Sequence, residues 1–457
     1  MNLITTDKFC KKEYGEKLYR LSFNAHMGCP NRGGPVLAVG GKRVAAGSDV
    51  AAGTAGSASA AEVDVVAAAR AAGRGCIFCS EGGSGEFAVD ITNDIDHDMK
   101  LAIDKVSSKF KGSRYIAYFQ AYTNTYAPVE ELRKLYTGFI ERDEIAVLAI
   151  ATRPDCLDEE KYALLEELNR IKPVWVELGL QTVKEESVRY IRRGYDNEVY
   201  DSAVKRLYSM GIHTITHVIL YLPGESVDDM KATVRHITEV YEDCCANREL
   251  RSGPSDKSDG NEETSQSCTR VDLTDGNKAY GILPVWEPSA GIKFSLLNVL
   301  KGTDLAAEYE RTPFFLPTLE EYAQTLKECL ELLPADMVVH RLCSDPPKKL
   351  LIEPKWAADK KRVMNTINDL ISPPEDYYVY IIRCNDGTLY TGVAKDVDKR
   401  FKEHTKGRGA RYTRAHHPEE IVYTEKLRGK GRALKREYEI KQLPREKKLE
   451  LIKRKSH

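Results

Sequence analysis

The chain has 457 residues and little tryptophan or methionine, three and seven respectively. It contains no run near the roughly 18 apolar residues that a membrane span takes. Met1 to Lys8 lack the apolar stretch of a signal peptide, and no internal repeat is evident. These absences argue against membrane-spanning, secreted and solenoid classes. What is present, 42% hydrophobic and 30% charged residues, describes an ordinary globular protein long enough for two or three domains. Eleven cysteines without a secretory leader read as thiols and metal ligands in a reducing compartment. A cytoplasmic location without membrane contact is expected.

An excess of one charge is also missing overall, since the net charge is −1. The balance conceals an asymmetry: Tyr377–His457 holds 22 Lys and Arg against 11 Asp and Glu, leaving 46 against 58 elsewhere. A basic module behind a mildly acidic body is the footprint of nucleic-acid binding.

A fourth cysteine at motif spacing is lacking as well. Cys29 stands in Gly-Cys-Pro-Asn-Arg, and Cys76 and Cys79 in Cys-Ile-Phe-Cys, followed by Ser80-Glu81-Gly82-Gly83-Ser84-Gly85. A closed zinc site and an electron-carrying cluster each normally take four ligands, so three leave an iron open for a substrate or cofactor. Further blocks follow at Ala151–Cys156, Glu177–Thr182, Leu222–Glu225, Val299–Thr303 and His340–Leu342. Together they resemble the radical S-adenosylmethionine (SAM) enzymes, in the branch similar to elongator-type tRNA-modifying enzymes, over about residues 5–370. The resemblance implies a [4Fe-4S] cluster on Cys29, Cys76 and Cys79, and reductive cleavage of SAM to a 5′-deoxyadenosyl radical. It also implies an electron donor such as flavodoxin or ferredoxin. Phe78, Gly82, Gly83, Glu177 and Gln181 are the implied SAM contacts.

The sequence departs from that branch at two places. Forty-six residues separate the first two cysteines; lengthening such a loop from about eleven residues costs roughly 1.3 kcal/mol of closure entropy, which metal–thiolate bonding exceeds. Tyr221 also stands where glycine is usual before Leu-Pro-Gly. Cys156 and Cys343 are not explained by a cluster and read as small buried hydrophobes rather than redox groups.

Strand-like runs at Leu18–Ala25, Tyr115–Ala121, Ile145–Thr152, Val174–Thr182, His213–Leu222 and Ile292–Leu300 alternate with amphipathic helices such as Val129–Ile140 and Glu159–Arg170. That alternation predicts an α/β fold with a partial (βα)6 barrel, sites gathering at the C-terminal strand ends. Residues 34–72 and 247–278 are compositionally poor in core-forming residues and read as disordered insertions. The expected domains are 1–371 and 377–457, joined by a Pro-containing linker at 372–376.

The basic module carries Tyr378-Val379-Tyr380, Tyr390-Thr391-Gly392, Arg400, His404, Gly407–Thr413 and Glu437. These resemble the small α/β GIY-YIG nuclease domain, with Tyr378 and Thr391 replacing the usual Gly and Ile. The residues suit metal-assisted phosphodiester hydrolysis. Glu437 would hold a divalent cation such as Mg2+ or Mn2+, Tyr380 and Tyr390 would handle protons, and Arg400 and His404 would contact phosphate. The resulting expectation is a radical SAM enzyme acting on nucleic acid, with tRNA wobble uridine favoured and DNA as an option. Two rivals stand beside it: a DNA-processing endonuclease with an ancillary cluster domain, and a radical enzyme acting on a small metabolite or protein.

Overall fold

The computed structural model describes residues 3–32, 36–39, 42–45, 75–80, 82, 87–110, 112–252, 289–371 and 375–453. Most of both expected insertions, Gly83 and part of the linker lie outside them. The chain divides into two compact units, Met1–Ile367 and Asn368–His457.

In chain order the strands are β1 (Ile4–Thr5), β2 (Tyr19–Asn24), β3 (Val36–Val39), β4 (Lys42–Ala45), β5 (Val89–Asp90), β6 (Tyr115–Phe119), β7 (Ile145–Thr152) and β8 (Val174–Gln181). There follow β9 (His213–Leu220), β10 (Ala290–Leu296), β11 (Val299–Leu300), β12 (Val338–Arg341), β13 (Leu351–Glu353), β14 (Asp376–Cys384), β15 (Leu389–Ala394) and β16 (Pro418–Arg428). Nine of them form one sheet in the order β1-β12-β10-β9-β8-β7-β6-β2-β5, with every pair parallel. The sheet curls into a half-barrel. Its six central strands, from β2 to β10, are the six expected from sequence. Helices cover its outer face, so β6 and β7 are buried at every position, as a parallel sheet with two covered faces requires.

Local chemistry sets the boundaries. Asp158 caps Glu159–Ile171 by accepting from Lys161 N at 3.0 Å, and Thr318 with Glu321 forms a capping box on Leu319–Leu330, satisfying otherwise orphaned N–H groups. The strand expected through Leu300 instead stops at Leu296. Asn298 Nδ2 donates to Leu296 O at 3.0 Å and to Ser344 Oγ at 2.7 Å, which turns the chain, and β11 pairs antiparallel with β13. The short strands β1, β5 and β12 were not expected, because two to four residues carry no readable period. Part of the first insertion forms the antiparallel hairpin β3–β4.

The second unit is an antiparallel sheet, β15-β14-β16, with its own small core. Val379, Ile381 and Tyr423 pack there with Ala433, Ile440 and Ile452 from the helices Lys430–Gln442 and Arg445–Lys453.

Candidate functional site

Four barrel strands end in backbone that only glycine adopts freely. His26, Tyr122, Gln181 and Tyr221 have φ of 53°, 59°, 62° and 65°, directly at or within three residues of the ends of β2, β6, β8 and β9. Such residues cost on the order of 1–3 kcal/mol each and cluster where a ligand is gripped. Tyr221, the residue in place of glycine, keeps its left-handed turn because its hydroxyl lies 2.7 Å from Thr325 Oγ1 and donates to Glu321 O at 3.2 Å.

The two cysteine segments meet beside this rim. The Arg32 N–H donates to Cys29 O at 2.8 Å, and Gly28 O accepts from Thr123 N at 3.3 Å. From that turn, Asn31 Nδ2 donates to Cys76 Sγ at 3.4 Å and to Arg192 O at 2.7 Å. The Arg32 guanidinium donates to Cys79 O at 3.0 Å and Ser80 O at 2.7 Å. Gly75 is required at this clamp. Its φ is 67° and a Cβ would lie 2.8 Å from Arg32 Nε. Hydrogen bonding from Cys79 lowers the Cys76 thiol to about 6 against burial, helped by Arg153 and Asn31, while the same contact and burial raise Cys79. The Arg153 and Arg32 charges help lower Cys76, and the three sulfurs form a soft donor set.

Among the described residues no three His, Cys, Asp or Glu side chains converge as ligands of a single ion; a four-iron cluster instead takes one cysteine per iron. The buried acceptors Gln181 Oε1, Glu225 Oε2 and Asn298 Oδ1 have no partner, and they follow β8, β9 and β10 at the same barrel end. Unpaired buried groups cost about 1–3 kcal/mol each, so a polar ligand with donors fits there. Phe78 packs beside Leu222, Leu297 and Leu305, and Gly82 is exposed.

Glu177, expected to contact the cofactor, already holds several partners, while its Oε1 accepts no hydrogen bond and meets the Arg20 guanidinium only as an ion pair. Its side chain is 0% exposed and salt-bridged to Arg20 at 3.2 Å and to Lys293. Oε2 also accepts from Tyr118 Oη at 2.6 Å and lies 2.9 Å from His217 Nε2. Burial alone would raise its pKa, yet Lys293, Arg20 and His217 hold it well below the usual value. Burial lowers His217 to about 4 and, with Arg20, pulls Lys293 down. Sequence reading missed Arg20, Tyr118, His217 and Lys293. Their signal was a polar residue at inward positions of otherwise apolar strands. Arg153 forms a two-pronged bond to Asp155 at 2.9 and 2.7 Å, and Cys156 and Cys343 are buried with raised pKa values.

In the small unit, β14 and β15 pair Tyr380 with Gly392, where a Cβ would come 2.5 Å from the Tyr380 hydroxyl. That hydroxyl lies 3.0 Å from His404 Nε2, and His404 Nδ1 lies 2.6 Å from Thr413 Oγ1. Thr413 Oγ1 donates to Ala410 O at 3.0 Å, so it accepts from His404 Nδ1–H. His404 Nε2 is therefore the bare nitrogen that accepts the Tyr380 proton. Burial, then the Arg400 charge, lowers the His404 pKa, keeping the imidazole neutral. Arg400 pairs with Glu403 at 2.6 Å and hydrogen-bonds Tyr380. Glu437, on Lys430–Gln442, pairs with Lys441 at 2.9 Å and feels Tyr380 and Tyr390 electrostatically. All five expected residues are thus brought together.

Comparison with known proteins decides the family. The Radical SAM superfamily model matches residues 70–237, which includes Cys76 and Cys79 and stops short of Cys29, and the Radical_SAM C-terminal domain model matches 289–372. The uncharacterized protein YtqA of Bacillus subtilis is 31% identical over 80% of this chain and 88% of its own length. The chain belongs to the radical SAM superfamily. Protein YhcC of Escherichia coli is 25% identical over 76% of this chain and 85% of its length. A GIY-YIG catalytic domain model matches residues 376–450 of this radical SAM protein. A UPF0213 protein of Staphylococcus saprophyticus is 53% identical over 17% of this chain and 95% of its own length. Family membership implies SAM and a [4Fe-4S] cluster as cofactors, and both domain types are enzymes.

Proposed function

We propose that this protein applies SAM radical chemistry to a nucleic acid, tRNA being favoured, in the cytoplasm. The observation that carries the reading is the clamp of the Cys29 turn on the Cys76–Cys79 loop through Asn31 and Arg32. It supports Cys29, Cys76 and Cys79 as the ligands of the cluster, with nearby guanidinium charge favouring the Cys76 thiolate. When bound, cluster and SAM supply the one-electron chemistry that removes a hydrogen atom from substrate. The chain's own part is to bind, orient and exclude water. Gln181, Glu225 and Asn298 offer unpaired acceptors to the SAM amino and hydroxyl groups, Phe78 closes the apolar side, and the exposed Gly82 lets backbone approach closely. Glu177 anchors Arg20 and Lys293 in this reading rather than touching the cofactor.

The small unit is read as the nucleic-acid-handling part, with phosphodiester cleavage as a second activity. Its relay supports this: Tyr380 takes a proton from water and passes its own to the neutral His404 Nε2, and Arg400 stabilises the phosphate, while Glu437 would hold a divalent cation that would supply further charge stabilisation there. Comparing modified nucleosides in tRNA from cells with and without the gene tests the substrate. A change confined to one position supports tRNA, and identical nucleoside profiles would remove it.

A further inference from the structure

Three neighbouring strands of the barrel carry a row of basic side chains that the SAM chemistry does not use. In the sheet register His217 of β9 stands opposite Lys293 of β10, and Lys293 opposite Arg341 of β12. The row faces the inside of the barrel. Glu177 of β8 reaches Arg20 of β2, three strands away in the sheet order, at 3.2 Å, which only the concave side of a curled sheet allows. The same carboxylate bridges to Lys293 and lies 2.9 Å from His217 Nε2.

Arg341 joins this face through an irregularity. The residue before it, His340, also points inward, with Nε2 2.8 Å from His213 Nε2 and Nδ1 3.1 Å from Arg20 Nη2. Successive strand residues alternate faces, but the register shift between Ile292 and Lys293 leaves an extra residue in β12 and turns Arg341 inward as well. Bulges beside active sites re-aim side chains in this way. The Arg341 guanidinium donates to Phe294 O at 3.4 Å and to Ser295 Oγ, with no salt bridge among the described residues. Three of its five N–H groups are left for solvent or a ligand.

Charge and access agree on what fits. Arg20, Lys293 and Arg341 bring three cationic side chains to one carboxylate, so an excess of positive charge remains even with the buried Lys293 amine neutral. The row lies three residues before the ends of β9 and β10, about 10 Å down the barrel. Yet the side chains of His217 and Arg20 are 25% and 23% exposed and Arg341 is half-buried, while Ile215, one step below His217 on the same face, is 0% exposed. Water therefore reaches this level of the barrel and stops there. Glu177 is ionised and can only accept, so His217 Nε2 carries the proton. With the ring neutral because burial lowers it to about 4, Nδ1 is a bare acceptor without a partner among the described residues. A phosphate dianion would set its second charge against Glu177, and an ammonium group would add to the positive excess. A single flat carboxylate suits the guanidinium, and a hydroxyl suits Nδ1.

We propose that Arg341 binds the carboxylate, and His217 Nδ1 the hydroxyl, of a small hydroxy acid that enters the barrel as a reactant. This goes beyond the nucleic-acid reading, and its test contains no nucleic acid, so neither failure decides the other.

The test uses the anaerobically reconstituted full chain and p-hydroxyphenylglyoxal, which labels accessible guanidinium groups, with mass spectrometry reading each arginine. Propionate, lactate and alanine share one skeleton and differ in carrying no donor, a hydroxyl or an ammonium group; inorganic phosphate is the fourth probe. Arg341 should be labelled in their absence and protected by lactate, with exposed arginines such as Arg411 unaffected. Protection should need roughly 2- to 12-fold less lactate than propionate, the worth of one neutral hydrogen bond, and alanine and phosphate should protect least. Monitored by thermal unfolding, lactate binding should weaken roughly 10- to 150-fold in Arg341→Gln, and His217→Phe should erase the preference for lactate over propionate. An Arg341 that never reacts, or that no probe protects, overturns the subsite. Strongest protection by phosphate overturns the carboxylate assignment, and strongest protection by alanine overturns the hydroxyl.

Discussion

The two units treat charge in opposite ways. Inside the barrel, Lys293 and Glu177 are almost wholly buried and bridged to each other, and Glu177 also meets Arg20 from β2, Tyr118 from β6 and His217 from β9. In the small unit, Lys402, Lys406, Arg408, Arg411 and Arg414 are exposed, with no carboxylate bridged to them among the described residues. A buried charge without partners costs several kcal/mol, so the barrel must satisfy its own charges before any ligand arrives. Exposed cations cost little and become useful when a polyanion displaces their counterions. The contrast fits a small, enclosed cofactor in one unit and a long, solvated polymer on the other.

Three experiments press on that contrast, and the strongest effect is expected at the relay. Tyr380→Phe keeps the ring and removes the proton carrier, so metal-dependent strand cleavage should fall by roughly 10²- to 10⁴-fold with nucleic-acid affinity unchanged. Cleavage rates and binding titrations on the same samples check it. A fall in affinity of similar size would mean the tyrosine holds substrate.

Next in size is Glu177→Gln, which leaves the buried Lys293 and the partly buried Arg20 without their counter-charge. The expected loss is about 3–5 kcal/mol in denaturant unfolding of the barrel unit. Glu177→Gln combined with Lys293→Met should recover part of it, because the two residues are in contact. Arg411→Gln with Arg414→Gln should leave stability within about 0.5 kcal/mol and flatten the salt dependence of nucleic-acid binding. Equal stability effects from the two sets would erase the distinction between buried and solvated charge.

The smallest effect concerns pH. His236 lies 2.7 Å from Asp201, and that hydrogen bond raises its pKa against burial. A raised histidine contributes stability that is complete below its unfolded value and is lost as pH rises through the folded one. His236→Gln should therefore destabilise by up to about 1 kcal/mol near pH 5.5 and by almost nothing near pH 8.5. Thermal unfolding at the two values tests this, and an equal loss at both would assign the effect to packing.

Much of the barrel was legible because its central strands carry strong local signals. Ile145–Thr152 and Val129–Ile140 run between the residues where β-branched content and helical spacing place them. The last strand read four residues too far, to Leu300 instead of Leu296, because Asn298 folds back on Leu296 O, a side-chain contact that periodicity does not carry. The cysteines, Tyr380, Tyr390, Arg400, His404 and Glu437 were legible as motifs, since few residue types perform their chemistry. Arg20, Tyr118, His217 and Lys293 were not, because each meets Glu177 only through the fold. Glu177 was visible as part of a motif, but its four side-chain partners were not, because they come together only in the fold.

The central claim is that Cys29, separated from its partners by 46 residues, belongs with Cys76 and Cys79. Anaerobic reconstitution of the full chain and of Cys29→Ala, Cys76→Ala and Cys79→Ala, followed by iron and acid-labile sulfide analysis, tests it most directly. The account expects about four iron and four sulfide per wild-type chain and loss of the cluster in all three variants. A full complement of iron and sulfide retained by Cys29→Ala would contradict it.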